Sequence, residues 1–243
     1  MPGRPRILAH RGLALEAPEN TMMAFLAALS IGVDYLETDV HATHDGIAVI
    51  SHDADLARVA GRNVRVDQLT MAELRRVPLG AGQSFCSLAE ALDAFPEARF
   101  NIDIKSDDAV EPTVKAITDV GAQDRVLIAS FDNRRRLRAV SRLPGVATSA
   151  SRGDSVAAIA AARVGSARLM ASALRGVDAV QLPMRARGVR VVTRRLVSTV
   201  HAVGAEVHVW TVNDVDDMSR LLTLGVDGIV TDRADVAMSL LEG

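Results

Sequence analysis

Glu37, Asp39 and His41 alternate along an apolar run, Val33 to His41, that ends in charge. A strand sends alternate side chains to one face, so these three would point the same way. Two carboxylates on one face repel each other unless positive charge lies between them, and a divalent cation is the usual answer. Two further apolar runs also stop at groups that carry protons: Arg6 to Ala9 leads into His10-Arg11-Gly12, and Ile47 to Ile50 leads into His52-Asp53. A fourth, Phe100 to Ile104, contains Asp103 and is followed by Lys105. Glu37, Asp39 and Asp103 offer three oxygen donors, a set that suits one Mg²⁺ or Ca²⁺ ion better than zinc. His10 and His52 can divide proton transfer, one neutral as base and one charged as acid. Arg11 and Lys105 either neutralise the acids or hold an anion, with phosphate the leading candidate. A metal flanked by cationic side chains describes many phosphoryl-transfer sites.

Each residue also has a plainer reading. Glu37 and Asp39 could be solvent-facing acids, but a parallel barrel strand has no solvent face, and burying unpaired carboxylates is costly. A lone strand-end histidine is more often structural than catalytic; here two occur on different strands, each followed by a charged residue. His41 is expected to line the mouth. His44 sits in a solvated turn with Asp45-Gly46, His201 within a helix and His208 within a strand. Trp210 is either packing at the barrel mouth or a platform for the substrate's alcohol portion. The run Arg134-Arg135-Arg136 reads as a solvated helix start.

The positioning elements follow from periodicity. Apolar strands (Arg6–Ala9, Val33–Val40, Phe100–Ile104, Val126–Ala129, Val146–Thr148, Ala179–Leu182, Glu206–Thr211, Gly228–Val230) alternate with amphipathic helices. The helices are Met22–Ile31, one from Ser87 to about Phe95, Val110–Val120, Arg134–Ser141, Val156–Arg163 with an Ala-rich continuation to Leu174, Thr193–Val203, Val215–Thr223 and Asp235–Leu241. Ile47–Ile50 closes a hairpin on the second strand. Such alternation implies a parallel sheet, and about eight units in 243 residues favour a closed (β/α)8 TIM barrel of the α/β class. No Gly-x-Gly-x-x-Gly follows the first strand, which weighs against a dinucleotide fold. The stretch 56–85 is polar, Arg-rich and only locally helical, and is expected to be a small insertion over the C-terminal mouth of a single domain spanning 1–243. In a barrel, functional groups gather at the C-terminal ends of strands, and His10, Arg11, Glu37, Asp39, His52, Asp103, Lys105 and Trp210 all fall at or just past such ends.

Composition narrows the class. Apolar residues make up 49% but aromatics only 3%, so the core must be aliphatic. A net charge of −2 argues against a nucleic-acid groove. The single cysteine, Cys86, excludes an internal disulfide and a thiolate zinc cage. No apolar run reaches membrane-spanning length and no signal-peptide core opens the chain, so the expectation is a cytoplasmic protein without stable membrane insertion. Only Lys105 and Lys115 are lysines among 28 basic residues, which draws attention to Lys105. Oligomeric state is left open.

The ordered motifs resemble those of the glycerophosphodiester phosphodiesterases, a (β/α)8 family among the phospholipase-C-like phosphodiesterases. They are His10-Arg11-Gly12, Pro18-Glu19-Asn20-Thr21, Glu37-Thr38-Asp39-Val40, Thr43-His44-Asp45-Gly46, His52-Asp53, Asn101-Ile102-Asp103-Ile104-Lys105, Ser130-Phe131, Trp210-Thr211-Val212-Asn213 and the stretch Gly225 to Asp232. The resemblance implies that His10 and His52 are the acid/base pair, that Glu37, Asp39 and Asp103 bind the ion, and that Arg11 and Lys105 hold the phosphate. It implies release of glycerol-3-phosphate and an alcohol, and makes 56–85 the inserted region that helps shape the substrate site. The family pattern usually has Glu at Asp103; aspartate is one methylene shorter, setting its oxygens back by ~1.5 Å. A lysophospholipid-directed phosphodiesterase is the alternative, favoured by an apolar mouth, and a non-catalytic phosphate-binding barrel is a second. Which histidine is the acid, and whether water attacks directly or a cyclic phosphate forms first, stay open at this level.

Overall fold

The computed structural model describes residues 4–186 and 188–242. Eight parallel strands form the barrel: β1 (Arg6–His10), β2 (Tyr35–Ala42), β4 (Arg99–Ile104), β5 (Val126–Ala129), β6 (Ala147–Thr148), β7 (Ala179–Pro183), β8 (Glu206–Trp210) and β9 (Gly228–Thr231). Hydrogen-bonded neighbours run β6-β5-β4-β2-β1-β9-β8-β7, and a parallel bridge between Ser149 and Ala179 closes the ring. A ninth strand, β3 (Ala48–Ile50), returns antiparallel against the end of β2. The helices are α1 (Met22–Ser30), α2 (Leu88–Ala94), α3 (Val110–Val120), α4 (Asn133–Val140), α5 (Arg152–Val164), α6 (Ala167–Ala173), α7 (Arg194–His201), α8 (Val215–Leu224) and α9 (Ala234–Glu242). The fold is the expected (β/α)8 barrel, and the core lies between the strands and the helical ring. There Ile7, Leu36, Val40, Phe100, Ile102, Ile128, Val180, Val207 and Ile229 are buried against the helices' apolar stripes. Phe25 of α1 meets Phe100 of β4 edge to face at 6.0 Å, a contact worth about 1 kcal/mol beyond its buried area.

A repeated triplet starts three of the strands. Gly32-Val33-Asp34, Gly176-Val177-Asp178 and Gly225-Val226-Asp227 each follow a helix and precede a strand. The glycine takes the left-handed conformation that ends the helix. The valine is buried. The aspartate accepts a backbone N–H from a neighbouring strand: Ile7 at 2.9 Å, Thr148 at 2.8 Å and Val207 at 2.8 Å. Three helix-to-strand turns at the foot of the barrel are thus fixed by the same chemistry.

Three expectations need correction. The helix expected from Val156 with a continuation to Leu174 is two helices. Gly165, at φ +71°, ends α5, and Ser166 caps α6 through the Leu169 N–H at 3.2 Å. α5 also begins earlier, at Arg152, because Ser151 and Asp154 form a capping box. The run Arg134-Arg135-Arg136 is not uniformly solvated. Arg134 is exposed, but Arg136 is buried and donates to Asn133 and Thr148, with Asp154 3.4 Å away, while apolar Leu137 is exposed. The insertion is more ordered than its polarity suggests. Two short hairpins, Asp55–Leu56 with Arg62–Arg65 and Pro78–Gly80 with Gln83–Ser84, enclose a helical turn, Met71–Leu74. Leu56, Val66, Met71, Leu74, Val77 and Phe85 form a small core that takes in Val49 of β3.

Candidate active site

The parallel register brings the predicted residues together. His10 is level with Glu37, Glu37 with Asn101, and Asp39 with Asp103. A cavity of about 600 Å³ opens at this end of the barrel, lined by all eight predicted site residues: His10, Arg11, Glu37, Asp39, His52, Asp103, Lys105 and Trp210. His41 stands slightly apart, in a shallower hollow with His52, Asp53 and Lys105. Burial holds its pKa below the ordinary histidine value, and its Nε2 meets the His52 carbonyl at 3.3 Å. His44 is exposed in its turn, His201 ends α7 bonded to Asp227, and His208 is buried within β8.

The two histidines are held alike. His10 Nδ1 lies 2.6 Å from Asp232 Oδ1, and Asn213 Nδ2 donates to the other oxygen of Asp232 at 2.7 Å. His52 Nδ1 lies 2.7 Å from Asp53 Oδ1, and Arg58 Nε donates to the other oxygen of Asp53 at 2.6 Å. Each ring is therefore oriented by a carboxylate that a second group steadies, and each Nε2 makes no hydrogen bond among the described residues. Burial works to lower the His10 pKa, but the bond to Asp232 and the charge of Glu37 outweigh it, and the net shift is upward. Asp232 is held below the usual carboxylate range, first by its bond to His10.

Backbone geometry aims the cations. Arg11 is in the left-handed region, at φ +57°, a strained conformation for a non-glycine residue. Its N–H donates both to the Glu37 carbonyl at 3.0 Å and to Glu37 Oε2 at 3.1 Å. Gly12, at φ +83°, must be glycine: a Cβ there would lie 2.7 Å from the Ala24 backbone. The Arg11 guanidinium spans Glu19 at 2.9 Å and Asp39 at 3.3 Å. Lys105 Nζ sits between Asp39 and Asp103, 2.7 Å from each, and their charges outweigh burial to raise its pKa.

Among the described residues no three His, Cys, Asp or Glu side chains are gathered as a ready metal cluster. The donor chemistry nevertheless fits a divalent cation. Glu37, Asp39 and Asp103 are all buried, and Asp103 Oδ1 has no hydrogen-bond partner. Burial and then Asp39 push the Glu37 carboxyl up to about 8, and burial pushes Asp103 up against the pull of Lys105. Carboxyls raised in this way lack positive charge, and oxygen-rich sites of this kind take Mg²⁺ or Ca²⁺.

Several site residues escaped the sequence reading. Asn20, named there only within the motif Pro18-Glu19-Asn20-Thr21, bridges Thr38 Oγ1 at 2.8 Å and Asp39 Oδ2 at 3.3 Å from a left-handed backbone, and Thr21 caps α1. Asp232 and Asn213 stand just past β9 and β8, so the strand-end rule that found Trp210 would have found them. Glu19 and Arg58 carried no local signal. Asn101 and Gln181 line the cavity with buried, unpartnered amide atoms. No residue of 56–85 lines the main cavity, but the insertion walls two smaller hollows beside it that share His52, one with Arg58, Val59, Leu79 and Phe85 and one with Ala57, Arg58 and Lys105. Arg58 also ties Asp53 to Glu19. The opposite wall is apolar: Phe131, Val156, Ile159, Leu182, Val191 and Trp210. Trp210 meets Phe131 edge to face at 6.0 Å.

Known proteins share this combination. Residues 10–236 match the glycerophosphoryl diester phosphodiesterase family. The Mycobacterium tuberculosis protein named "probable glycerophosphodiester phosphodiesterase 2" is 47% identical over 236 residues, covering 96% of this chain and 89% of the relative. A lysophospholipase D of Rattus norvegicus is 44% identical over 113 residues, 41% of this chain and 36% of the relative. The structure of an Oleispira antarctica phosphodiesterase in complex with the product sn-glycerol-3-phosphate superposes with a TM-score of 0.81 at 23% identity, covering 98% of this chain and 97% of that one. The fold and the family are those of a phosphodiesterase, a hydrolase on a (β/α)8 barrel. The chain belongs to the glycerophosphoryl diester phosphodiesterase family.

Proposed function

We propose that this barrel hydrolyses glycerophosphodiesters to glycerol-3-phosphate and an alcohol, using one divalent ion, Mg²⁺ or Ca²⁺, and acid/base catalysis by His10 and His52. The observation that carries this reading is the matched pair of aspartate-held imidazoles facing a mouth with three buried carboxylates. The Mycobacterium tuberculosis relative bears the name of that activity, and the Oleispira antarctica structure holds that product. Glu37, Asp39 and Asp103 would hold the ion, which when bound offsets the diester's negative charge.

The remaining work falls to side chains. Lys105 has one N–H left after Asp39 and Asp103, and it and Arg11 both line the cavity, where they can meet a phosphate oxygen. One histidine takes the proton of the attacking hydroxyl as the new phosphorus–oxygen bond forms. The other returns a proton to the alcohol oxygen as the old bond breaks. Asp53 and Asp232 fix both ring orientations and stabilise the charged ring of each step. Asn101 and Gln181 offer unpaired amide groups to the glycerol hydroxyls.

A second reading is supported by one observation, the apolar wall of Phe131, Val156, Ile159 and Trp210, which suits a lysophospholipid's acyl portion. An assay of released choline decides between them, with glycerophosphocholine and lysophosphatidylcholine as separate substrates and Mg²⁺, Ca²⁺ or EDTA present. The main reading expects turnover of glycerophosphocholine that EDTA abolishes. Choline and lysophosphatidate released from lysophosphatidylcholine, with none from glycerophosphocholine, would move the assignment to the second.

A further inference from the structure

Between Asp178 and Glu206 the chain has no acidic residue and five arginines, Arg185, Arg187, Arg190, Arg194 and Arg195, although its net charge is −2. The structure places this segment at the mouth. Directly after β7, Arg185–Ala186 pairs antiparallel with Val189–Arg190 in a short hairpin, and α7 begins at Arg194. Arg187 lies outside the described residues. Arg185, Val189, Arg190 and Arg194 are exposed. Arg11, Arg135 and Arg220, near the same end of the barrel, are each paired with an acid, but Arg185, Arg190 and Arg194 make no ion pair among the described residues, and neither does exposed Arg152 at the start of α5.

Apolar side chains are interleaved with these free cations. Val189 is 55% exposed, Val156 61% and Phe131 56%, the last two near the start of α5 and on the loop after β5, at the same rim. A hairpin of two-residue strands has no core of its own, so Val189 gives the fold nothing. Leu15 and Val215, also exposed, continue the apolar tips around the mouth on the loop after β1 and at the start of α8. A solvated basic loop would not need these apolar tips, and apolar tips alone would not need unpaired arginines.

We infer that this rim is an interfacial docking face, on which the 185–190 hairpin and the Arg152–Val156 shoulder seat the barrel mouth on an anionic lipid bilayer. Guanidinium groups meet the anionic headgroups while Val189, Val156 and Phe131 enter the acyl boundary. A nucleic acid fits less well: its phosphate backbone would use the arginines and leave the apolar side chains in water, and the rest of the chain carries net negative charge. The docking is peripheral, since no helix among the described residues is long and apolar enough to cross a membrane. It turns the apolar wall of the cavity toward the membrane, so that a lipid-derived diester passes from bilayer to cavity with little exposure to water. The inference concerns binding and stands apart from the hydrolytic reading.

The test is co-sedimentation of the full chain with vesicles of equal parts phosphatidylglycerol and phosphatidylcholine, and with vesicles of phosphatidylcholine alone. The protein should sediment with the anionic vesicles only, and high salt should release it. Each of Arg185→Ala and Arg190→Ala should weaken partitioning about fivefold, and the double substitution roughly 25-fold. Val189→Asp should weaken it at unchanged surface arginine content. Equal binding to both vesicle types, or no binding to anionic vesicles at low salt, would overturn the inference. So would binding that single-stranded RNA competes away and that Val189→Asp leaves intact, since that marks a general polyanion site. These positions do not line the cavity, so melting temperature and glycerophosphocholine turnover report whether each variant is folded. If the parent proved inactive on every diester, the vesicle result would still stand or fall alone.

Discussion

The two halves of the mouth are built for opposite tasks. On the side of β1, β2, β3 and β4, buried charge is dense: Glu37, Asp39, Asp103, Arg11, Lys105 and two aspartate-held histidines are joined by contacts of 2.6–3.3 Å. On the side of β5 to β8, the same cavity is lined by Phe131, Val156, Ile159, Leu182 and Trp210. One wall is over-determined by charge and hydrogen bonds, and changing one member leaves others unpaired. The other offers surface and shape, and its members can be exchanged one at a time. The polar half should therefore control the chemical step and the apolar half the choice of alcohol.

The largest effects should come from the polar half. His10→Ala and His52→Ala are each expected to lower kcat by roughly 10²–10⁴-fold with little change in KM, read from steady-state turnover of glycerophosphocholine. A similar loss from Phe131→Ala would erase the division between the halves. Next comes Asp103→Asn, which should weaken Mg²⁺ or Ca²⁺ binding by about tenfold or more in calorimetry. Unchanged affinity would remove Asp103 from the ligand set. On the apolar side, Phe131→Ala should raise KM for a lysophospholipid by roughly tenfold and leave glycerophosphocholine nearly unaffected. Equal effects on both substrates would place Phe131 in the shared machinery.

The smallest effect is on stability. His10 is raised above its unfolded value, so its contribution is fully present below about pH 6.5 and is lost as pH rises through its folded pKa. Asp232 is lowered, so its contribution is present above about pH 3.9 and is lost as pH falls through its folded pKa. Both operate together between those limits. With chelator present, Asp232→Asn should lower the melting temperature most near pH 5.5 and least at pH 9. Because the Asp232 side chain is half exposed, the drop should be only about 1–3 °C. A pH-independent drop would mean that the pair does not carry charge in the folded protein.

Much of the polar half was legible in the sequence because its residues obey one rule, polar groups at the ends of apolar strands. Glu37-x-Asp39 and Asp103-x-Lys105 follow the strand period and could be placed without knowing the neighbours. The supports were less legible, because they depend on contacts across the fold. Arg58 meets Glu19 from 39 residues away, and Asp232 meets His10 from 222 away. Asn20 had no role assigned in the sequence because its left-handed backbone, which turns its amide toward Asp39, is not encoded by residue type alone. The apolar wall was the least legible. Phe131 follows β5, Val156 lies in the first turns of α5 and Trp210 ends β8, and only ring closure brings them together. The barrel itself was readable from alternation, except where local chemistry intervened, as at Gly165-Ser166, which splits α5 from α6.

The central claim is that two aspartate-held histidines and a carboxylate-bound divalent ion together perform the hydrolysis. It is tested most directly by release of sn-glycerol-3-phosphate from glycerophosphocholine by the parent, His10→Ala and His52→Ala proteins, each with Mg²⁺ or Ca²⁺ and with EDTA. The account predicts activity in the metal-supplied parent alone, with EDTA removing it and each substitution lowering it by roughly 10² or more. Release that persisted in EDTA and in both variants would contradict it.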